Sequence, residues 1–201
     1  MTSRRLALIS MAALLLAGCD KPGGSAGSGA SFRAVDITGA EYARQLSMQD
    51  PDGKTRTLAD FKGKVTVVFF GYTQCPDVCP TTMAELAQVK KSLGADGDRI
   101  QGVFVTVDPD RDTPELLKAY MGSFDPSFVA LRGTPEQTAA MAKEFKVFYA
   151  KVPGRTEGSY TVDHTAGSYV FDASGKVRLF VRYGSGADAL AADLKTLLAA
   201  G

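Results

Sequence analysis

The sequence predicts an α/β fold in which a mixed central β-sheet is flanked by helices. Two unbroken runs of β-branched and aromatic residues, 65–70 and 102–107, are typical of strands that are buried on both faces. A helical pattern follows each run, and the chain closes with a hairpin and a last helix. Strands and helices that alternate in this way indicate helices packed on a mixed sheet.

Turn and cap signals place the other elements. Asp52-Gly53 predicts an N-terminal hairpin extension that joins residues 46–49 to 55–58. Thr113-Pro114 and Thr134-Pro135 each predict a helix start, with threonine as the N-cap and proline at the first helical position. The expected helices are 80–93, 114–122, 135–145 and 187–199, and the remaining expected strands are 128–131, 147–152, 168–171 and 177–181.

Length and composition indicate one globular domain behind a short leader. The chain has 201 residues, of which 45% are hydrophobic and 22% charged, so it can build an ordinary core. The net charge is +1, and no block of basic residues is present. Because phosphate binding needs a clustered positive surface, we expect no nucleic-acid partner.

Residues 1–18 are predicted to be a lipoprotein signal peptide. Arg4 and Arg5 precede an apolar run, Leu6–Leu16, that is too short to be a comfortable membrane span. The run ends in Leu16-Ala17-Gly18-Cys19, which resembles the bacterial lipobox, with cleavage before Cys19 and lipidation of its sulfur. The alternative is an ordinary signal peptide in which the cysteine is accidental.

The segment after Cys19 predicts where the protein works. Asp20 resembles the inner-membrane retention signal of bacterial lipoproteins, and residues 19–31 are rich in Gly, Ser and Ala, which is typical of a flexible tether. Residues 32–201 then form the folded domain. We expect a protein of the bacterial cell envelope, lipid-anchored to the inner membrane with its domain facing the periplasm.

Two cysteines lie between the first buried strand and the next helix. The spacing of Cys75 and Cys79 puts both sulfurs on one side of a helical first turn, where the helix dipole favours thiolates. Thiolates bind metals or attack disulfides, so the pair is either a metal site or a redox-active couple, and a plain disulfide staple is a third reading. This position of a cysteine pair is the thioredoxin-like layout. A peroxiredoxin-like reading is weaker, because its Pro-x-x-x-Thr-x-x-Cys pattern is missing.

The only histidine, His164, shortly precedes the expected strand 168–171. In a thioredoxin-like sheet the loop before that strand faces the cysteine loop. Thioredoxin-like reductases carry a proline in this loop, whereas here no proline follows Pro153. Two thiolates and one imidazole form a soft ligand set that selects copper, so we predict that His164 is the third ligand.

Three segments together resemble the Sco/SenC family of copper proteins, over roughly residues 45–200. They are Gly71-Tyr72-Thr73-Gln74-Cys75-Pro76-Asp77-Val78-Cys79-Pro80, Val107-Asp108-Pro109-Asp110-Arg111-Asp112-Thr113-Pro114 and Asp163-His164-Thr165. The resemblance implies that Cys75, Cys79 and His164 bind copper, as Cu(I) or Cu(II). It also implies delivery of copper to, or preparation of, the dinuclear copper centre in the copper-receiving subunit of a haem–copper oxidase. A second periplasmic copper chaperone is a further candidate partner.

Three carboxylates are candidates for tuning the site. Asp77 lies between the cysteines and Asp108 follows the second buried strand, and both also suit plain capping roles. Asp163 precedes His164 and is a candidate for orienting its ring. Two functions from different classes stay open at this point: a copper metallochaperone, and a thiol–disulfide oxidoreductase that uses Cys75 and Cys79 to reduce a partner's copper-ligand cysteines.

Overall fold

A computed structural model describes residues 31–201. The predicted signal peptide, Cys19 and residues 20–30 of the predicted tether lie outside the described residues. Within 31–201, no helix has both the length and the apolar character needed to cross a membrane.

The central sheet has six strands in the order β1-β10-β9-β4-β5-β6. Its strands β4, β5 and β6 run parallel, whereas β9, β10 and β1 are paired antiparallel. This mixed sheet confirms the predicted fold class. The strands are β1 Val35–Asp36, β4 Val65–Gly71, β5 Ile100–Thr106, β6 Val129–Leu131, β9 Gly167–Phe171 and β10 Val177–Arg182.

In residues 31–201, four α-helices flank the sheet, and the predicted caps are confirmed. Thr113 Oγ1 accepts a hydrogen bond from the Leu116 N–H, and Thr134 Oγ1 accepts one from the Gln137 N–H, both at 3.2 Å. Proline follows each cap, as predicted. The helices are α1 Val78–Ser92, α2 Pro114–Gly122, α3 Pro135–Glu144 and α4 Ala187–Ala199, with 3₁₀ turns at Leu58–Phe61 and Gly94–Arg99.

The described part of the chain also contains two hairpins outside the central sheet. The first, β2 Ser47–Gln49 with β3 Thr55–Thr57, is the predicted N-terminal hairpin extension. The second pairs β7 Tyr149–Pro153 with β8 Tyr160–His164. Strand β8 was not predicted from the sequence, because its five residues include only one buried side chain, Val162, and show little strand pattern. His164 is therefore the last residue of a strand and not part of a loop.

The topology brings the cysteine segment and His164 to the same end of the neighbouring strands β4 and β9. All seven residues of β4 and all seven of β5 are buried, so the end of β4 is fixed in the core. The cysteine segment leaves that end directly after Gly71. Because Phe69 of β4 pairs with Ser168 at the start of β9, the chain just before β9 lies at the same end. His164 is in that chain.

Candidate metal centre

Cys75, Cys79 and His164 lie close together beyond the C-terminal end of β4. Their ligand atoms are all within 4.8 Å of one another, and the Cys79 Sγ is 3.3 Å from the His164 Nε2. Cys79 is buried, whereas Cys75 and His164 are half-buried, and both cysteines are free thiols. Within the described part of the chain, this is the one group of three such side chains close enough to hold a metal ion.

Core packing fixes Cys79. It is the second residue of α1 and is 0% exposed. A Cβ added at Gly71 would lie 2.7 Å from the Cys79 Sγ and about as close to the rings of Phe69 and Phe104. A side chain at position 71 would therefore displace the sulfur, so glycine is needed for this close approach.

A buried carboxylate holds the segment that leads to Cys75. Asp112 is 0% exposed and accepts hydrogen bonds from the Thr73 hydroxyl at 2.6 Å and from the Thr73 N–H at 3.2 Å. The Thr106 hydroxyl also donates to Asp112, at 2.5 Å. Burial raises the pKa of Asp112, and these hydrogen bonds oppose the rise. Asp112 thus ties the cysteine segment to the end of β5.

The His164 ring is held with one nitrogen free to bind. Its Nδ1 is 3.2 Å from the Thr165 carbonyl oxygen, which can only accept, so Nδ1 carries the proton in this contact. The ring also meets the rings of Phe69 and Tyr72 nearly edge-on, at centroid distances of 5.8 and 6.0 Å. The lone pair of Nε2 is thereby left facing the Cys79 sulfur, which is the arrangement that a metal ligand needs.

Burial shifts the pKa values of Cys79 and His164 so that the neutral form of each side chain is favoured. It raises the pKa of the Cys79 thiol well above its usual range, although a backbone hydrogen bond from Tyr72 opposes this. Burial also lowers the pKa of His164, against the opposing effects of the Thr165 carbonyl and the Asp163 charge. The start of α1 favours a thiolate, whereas burial of the Cys79 sulfur favours the neutral thiol. A metal that binds here must displace the Cys79 proton.

Cys75 and His164, but not the buried Cys79, line an open cleft of about 290 Å³. Asp77 and Asp163 are exposed at its rim. Asp77 accepts a hydrogen bond from the Thr81 hydroxyl at 3.3 Å and does not cap α1 with its side chain. The Nδ1 of His164 contacts the Thr165 carbonyl, and no hydrogen bond joins His164 to Asp163 in the described structure. The orienting role predicted for Asp163 stays a prediction.

Asp108 lies away from this cleft. It is 0% exposed and accepts hydrogen bonds from the Arg111 Nε and, at 2.8 Å, from the Tyr160 hydroxyl. Any tuning by Asp108 therefore acts through these two residues and not by contact with a metal.

Gly71, Arg111 and Asp112 were not predicted to contribute to the site. All three stand inside the segments that carry the family resemblance, so position in those segments was the available signal. Their roles depend on contacts with residues elsewhere in the chain: Gly71 packs against Cys79, Arg111 binds Tyr160, and Asp112 binds Thr73. These contacts are visible only in the tertiary structure.

The donor set suits a soft metal ion. Thiolate ligands select Cu(I), Zn(II) and iron–sulfur clusters, and imidazole suits copper and zinc. The two sulfurs and the free Nε2 lie within 4.8 Å of one another, so the residues present fit a copper ion. Fold and site together define a thioredoxin-like protein with a Cys-Cys-His group as its candidate metal site.

Comparison with known proteins gives the family. The SCO1/SenC family model matches residues 35–199, and the chain belongs to this family. The copper-bound structure of ScoI from Bradyrhizobium japonicum is 40% identical, with a TM-score of 0.69 over 76% of this chain and 97% of that one. Solution structures of apo Sco1 from Thermus thermophilus are 37% identical, with a TM-score of 0.74 over 85% of this chain and 99% of that one.

A curated relative is matched over a shorter part of its length. The SCO2-like protein of Rickettsia felis is 38% identical over 128 residues, which are 63% of this chain and 62% of that protein. The match thus spans about three fifths of the relative. The structures and the family model agree with the thioredoxin-like fold predicted from the cysteine position.

Proposed function

We propose that this protein is a membrane-anchored copper metallochaperone. It binds one copper ion through Cys75, Cys79 and His164 and helps to assemble the dinuclear copper centre of a haem–copper oxidase. The observation that carries the proposal is the convergence of two sulfurs and one imidazole nitrogen within 4.8 Å. Family membership and the copper-bound ScoI relative support it.

The geometry suits a cargo that must leave again. Cys79 is buried, but Cys75 and His164 are half-buried at an open cleft. Two ligands are therefore accessible to incoming groups from an acceptor, and copper can pass by exchange of ligands without unfolding of the core. The acceptor in this proposal is the copper-receiving oxidase subunit, and a second periplasmic chaperone is the candidate donor.

Copper stoichiometry and the Cu(II) absorption spectrum test the metal site. The full chain, reduced and solubilised in detergent, is compared with Cys75→Ser and His164→Ala. We expect one copper per chain and a thiolate-to-copper charge-transfer band, which both substitutions remove or shift. Wild-type copper affinity in His164→Ala would show that the three-ligand site is wrong.

The anchor is a separate part of the proposal. We infer that Cys19 is lipidated and holds the domain at the inner membrane, on the periplasmic side. Several acyl chains on one cysteine would exceed the marginal binding that a single chain gives. Mass spectrometry of the mature N-terminus tests this, with Cys19→Ala expected to appear in the soluble periplasmic fraction. An unmodified Cys19 would contradict it.

A thiol–disulfide oxidoreductase is the second candidate function. It is favoured by the contrast between a half-exposed Cys75 and a buried Cys79, both free. The Cys75 thiolate would attack a partner disulfide, and Cys79 would then displace the partner, so that the partner gains two thiols as Cys75 and Cys79 become a disulfide. His164→Ala is expected to spare this reaction. Oxidation of the pair with no retained copper would favour this candidate.

A further inference from the structure

We propose that Arg111 is a positioning residue that links the β7–β8 hairpin, which carries His164, to the segment that carries Cys75. Through this link, Arg111 sets the ratio of the Cu(II) affinity to the Cu(I) affinity. The inference rests on the proposed copper function, but it includes a measurement on the metal-free protein. Arg111 is not a ligand, and its effect passes through the two segments that carry the ligands.

One side chain joins three parts of the chain. The Arg111 Nε donates to Asp108 in the turn after β5. Its Nη1 donates to the Gln74 side chain at 3.1 Å and to the Tyr160 carbonyl at 2.9 Å. Gln74 immediately precedes Cys75, and Tyr160 begins the strand that ends at His164. Arg111 therefore links the approach to one ligand with the approach to another.

Asp108 and Tyr160 hold the Arg111 side chain firmly in place. Asp108 is fully buried and also accepts from the Tyr160 hydroxyl, while the Arg111 guanidinium lies 3.6 Å from the centre of the Tyr160 ring. Hydrogen bonds to a charged, buried partner are among the stronger ones in proteins. A second tie between these segments, Lys151 to Asp110, is half-exposed on both sides and is worth little.

The hairpin needs such a link. In residues 31–201, β7 and β8 pair only with each other and not with the central sheet. At the His164 end, the Thr165 N–H donates to the Phe148 carbonyl, which extends the pairing within the hairpin and does not tie it to the central sheet. The Tyr160 end is held by the Arg111 and Asp108 side chains. Without Arg111, we expect β8 to move more freely relative to the cysteines.

The two copper oxidation states depend differently on this alignment. Two thiolates satisfy Cu(I), whereas Cu(II) prefers nitrogen and oxygen ligands in a tetragonal arrangement and depends on the imidazole. A loosely held imidazole therefore weakens Cu(II) binding more than Cu(I) binding. The ratio of the two affinities, and with it the reduction potential of bound copper, reports how firmly Arg111 holds the hairpin.

The main experiment measures Cu(II) and Cu(I) affinities of the full chain and of Arg111→Gln. We expect Cu(II) affinity to fall at least tenfold with less than a threefold change for Cu(I), which raises the potential by about 59 mV for each tenfold change in the ratio. Equal losses for both ions, or an unchanged ratio, would overturn the inference.

Two further variants separate positioning from charge and from stability. Arg111→Lys keeps the charge but not the fork that reaches Asp108, Gln74 and Tyr160 together, so it should not restore the ratio. Full restoration by lysine would contradict the inference. Arg56→Gln is the matched control, because the Arg56–Asp50 pair is similarly buried, at 28% and 5% exposure against 21% and 0% for Arg111 and Asp108. It should leave the ratio unchanged.

Hydrogen exchange of the metal-free protein gives a readout without copper. Residues 160–164 should exchange faster in Arg111→Gln than in wild type, with no change in Arg56→Gln. Wild-type exchange would overturn the inference even if copper binding were altered. If Arg111→Gln does not fold, Gln74→Ala provides a milder test, because it removes only the exposed hydrogen bond between Arg111 and Gln74. An unchanged affinity ratio in Gln74→Ala would then overturn the inference. Failure of wild type to bind copper would instead refute the proposed function.

Discussion

The candidate metal centre has two arms that are built in different ways: the helix start that carries Cys79 and the β7–β8 hairpin that carries His164. Cys79 belongs to the core: it lies in the first turn of α1, is 0% exposed, and its sulfur fits against Gly71. His164 stands on a hairpin that is separate from the central sheet and is held by side chains. One arm is thus as rigid as the domain, whereas the other can be moved by changing a few polar contacts. This difference suits the proposed copper metallochaperone, which holds copper and also releases it.

The largest expected effect comes from breaking the rigid arm. Cys79→Ala should lower the affinity for both Cu(I) and Cu(II) by more than the 10–100-fold that loss of an outer-shell contact costs, because a thiolate ligand is lost. His164→Ala, on the other arm, should lower Cu(II) affinity while leaving a two-thiol Cu(I) site. Competition titrations with each ion check this, and equal behaviour of the two variants would contradict the comparison.

The second effect is a pH dependence of copper binding that arises from the cysteine thiols and not from His164. Burial raises the pKa of Cys79, so its proton must leave when copper binds, and copper affinity should rise about tenfold per pH unit for each thiol proton released. Burial lowers the pKa of His164, so its imidazole is already neutral at pH 7 and above and releases no proton there. Titrations between pH 7 and 9 should show a slope that His164→Ala preserves and Cys79→Ala reduces.

A smaller effect is expected from overfilling the space around the sulfur. In Gly71→Ala the new methyl group would lie 2.7 Å from the Cys79 Sγ, so the core must shift at a cost of about 1–3 kcal/mol in the free energy of unfolding. Copper affinity should fall with it. Gly122→Ala is a control, because nothing lies within 4 Å of a Cβ at that position. Chemical denaturation measures both, and equal stability of the two variants would argue against close packing at Cys79.

The smallest effect is expected at the rim of the cleft. Asp163→Asn should change copper affinity by less than about threefold, because the Thr165 carbonyl and not Asp163 contacts the His164 Nδ1, and exposed charges are screened by solvent. Thr165 contributes through its backbone, so no side-chain substitution tests that contact directly. A loss above tenfold in Asp163→Asn would restore Asp163 as an orienting residue.

The elements with a strong local pattern were predictable from the sequence. The continuous apolar runs in β4 and β5 predict buried strands, and Thr113-Pro114 and Thr134-Pro135 predict helix starts that the structure confirms. Strand β8 was missed because its residues alternate weakly and its partner, β7, supplies the hydrogen bonds. A strand that exists through pairing leaves little trace in its own composition.

The sequence by itself determined the ligand types, their order and the strand after which the cysteines fall, because residue chemistry and local periodicity are properties of short segments. Only the tertiary structure decided that His164 reaches the cysteines and that burial raises the pKa of Cys79. It also decided that Asp108, Arg111 and Asp112 form hydrogen bonds with the segments around the candidate site. Each of these depends on burial or on contacts between residues far apart in the chain, such as the 85 positions that separate Cys79 from His164. Desolvation and packing arise from the whole fold, so no short segment encodes them.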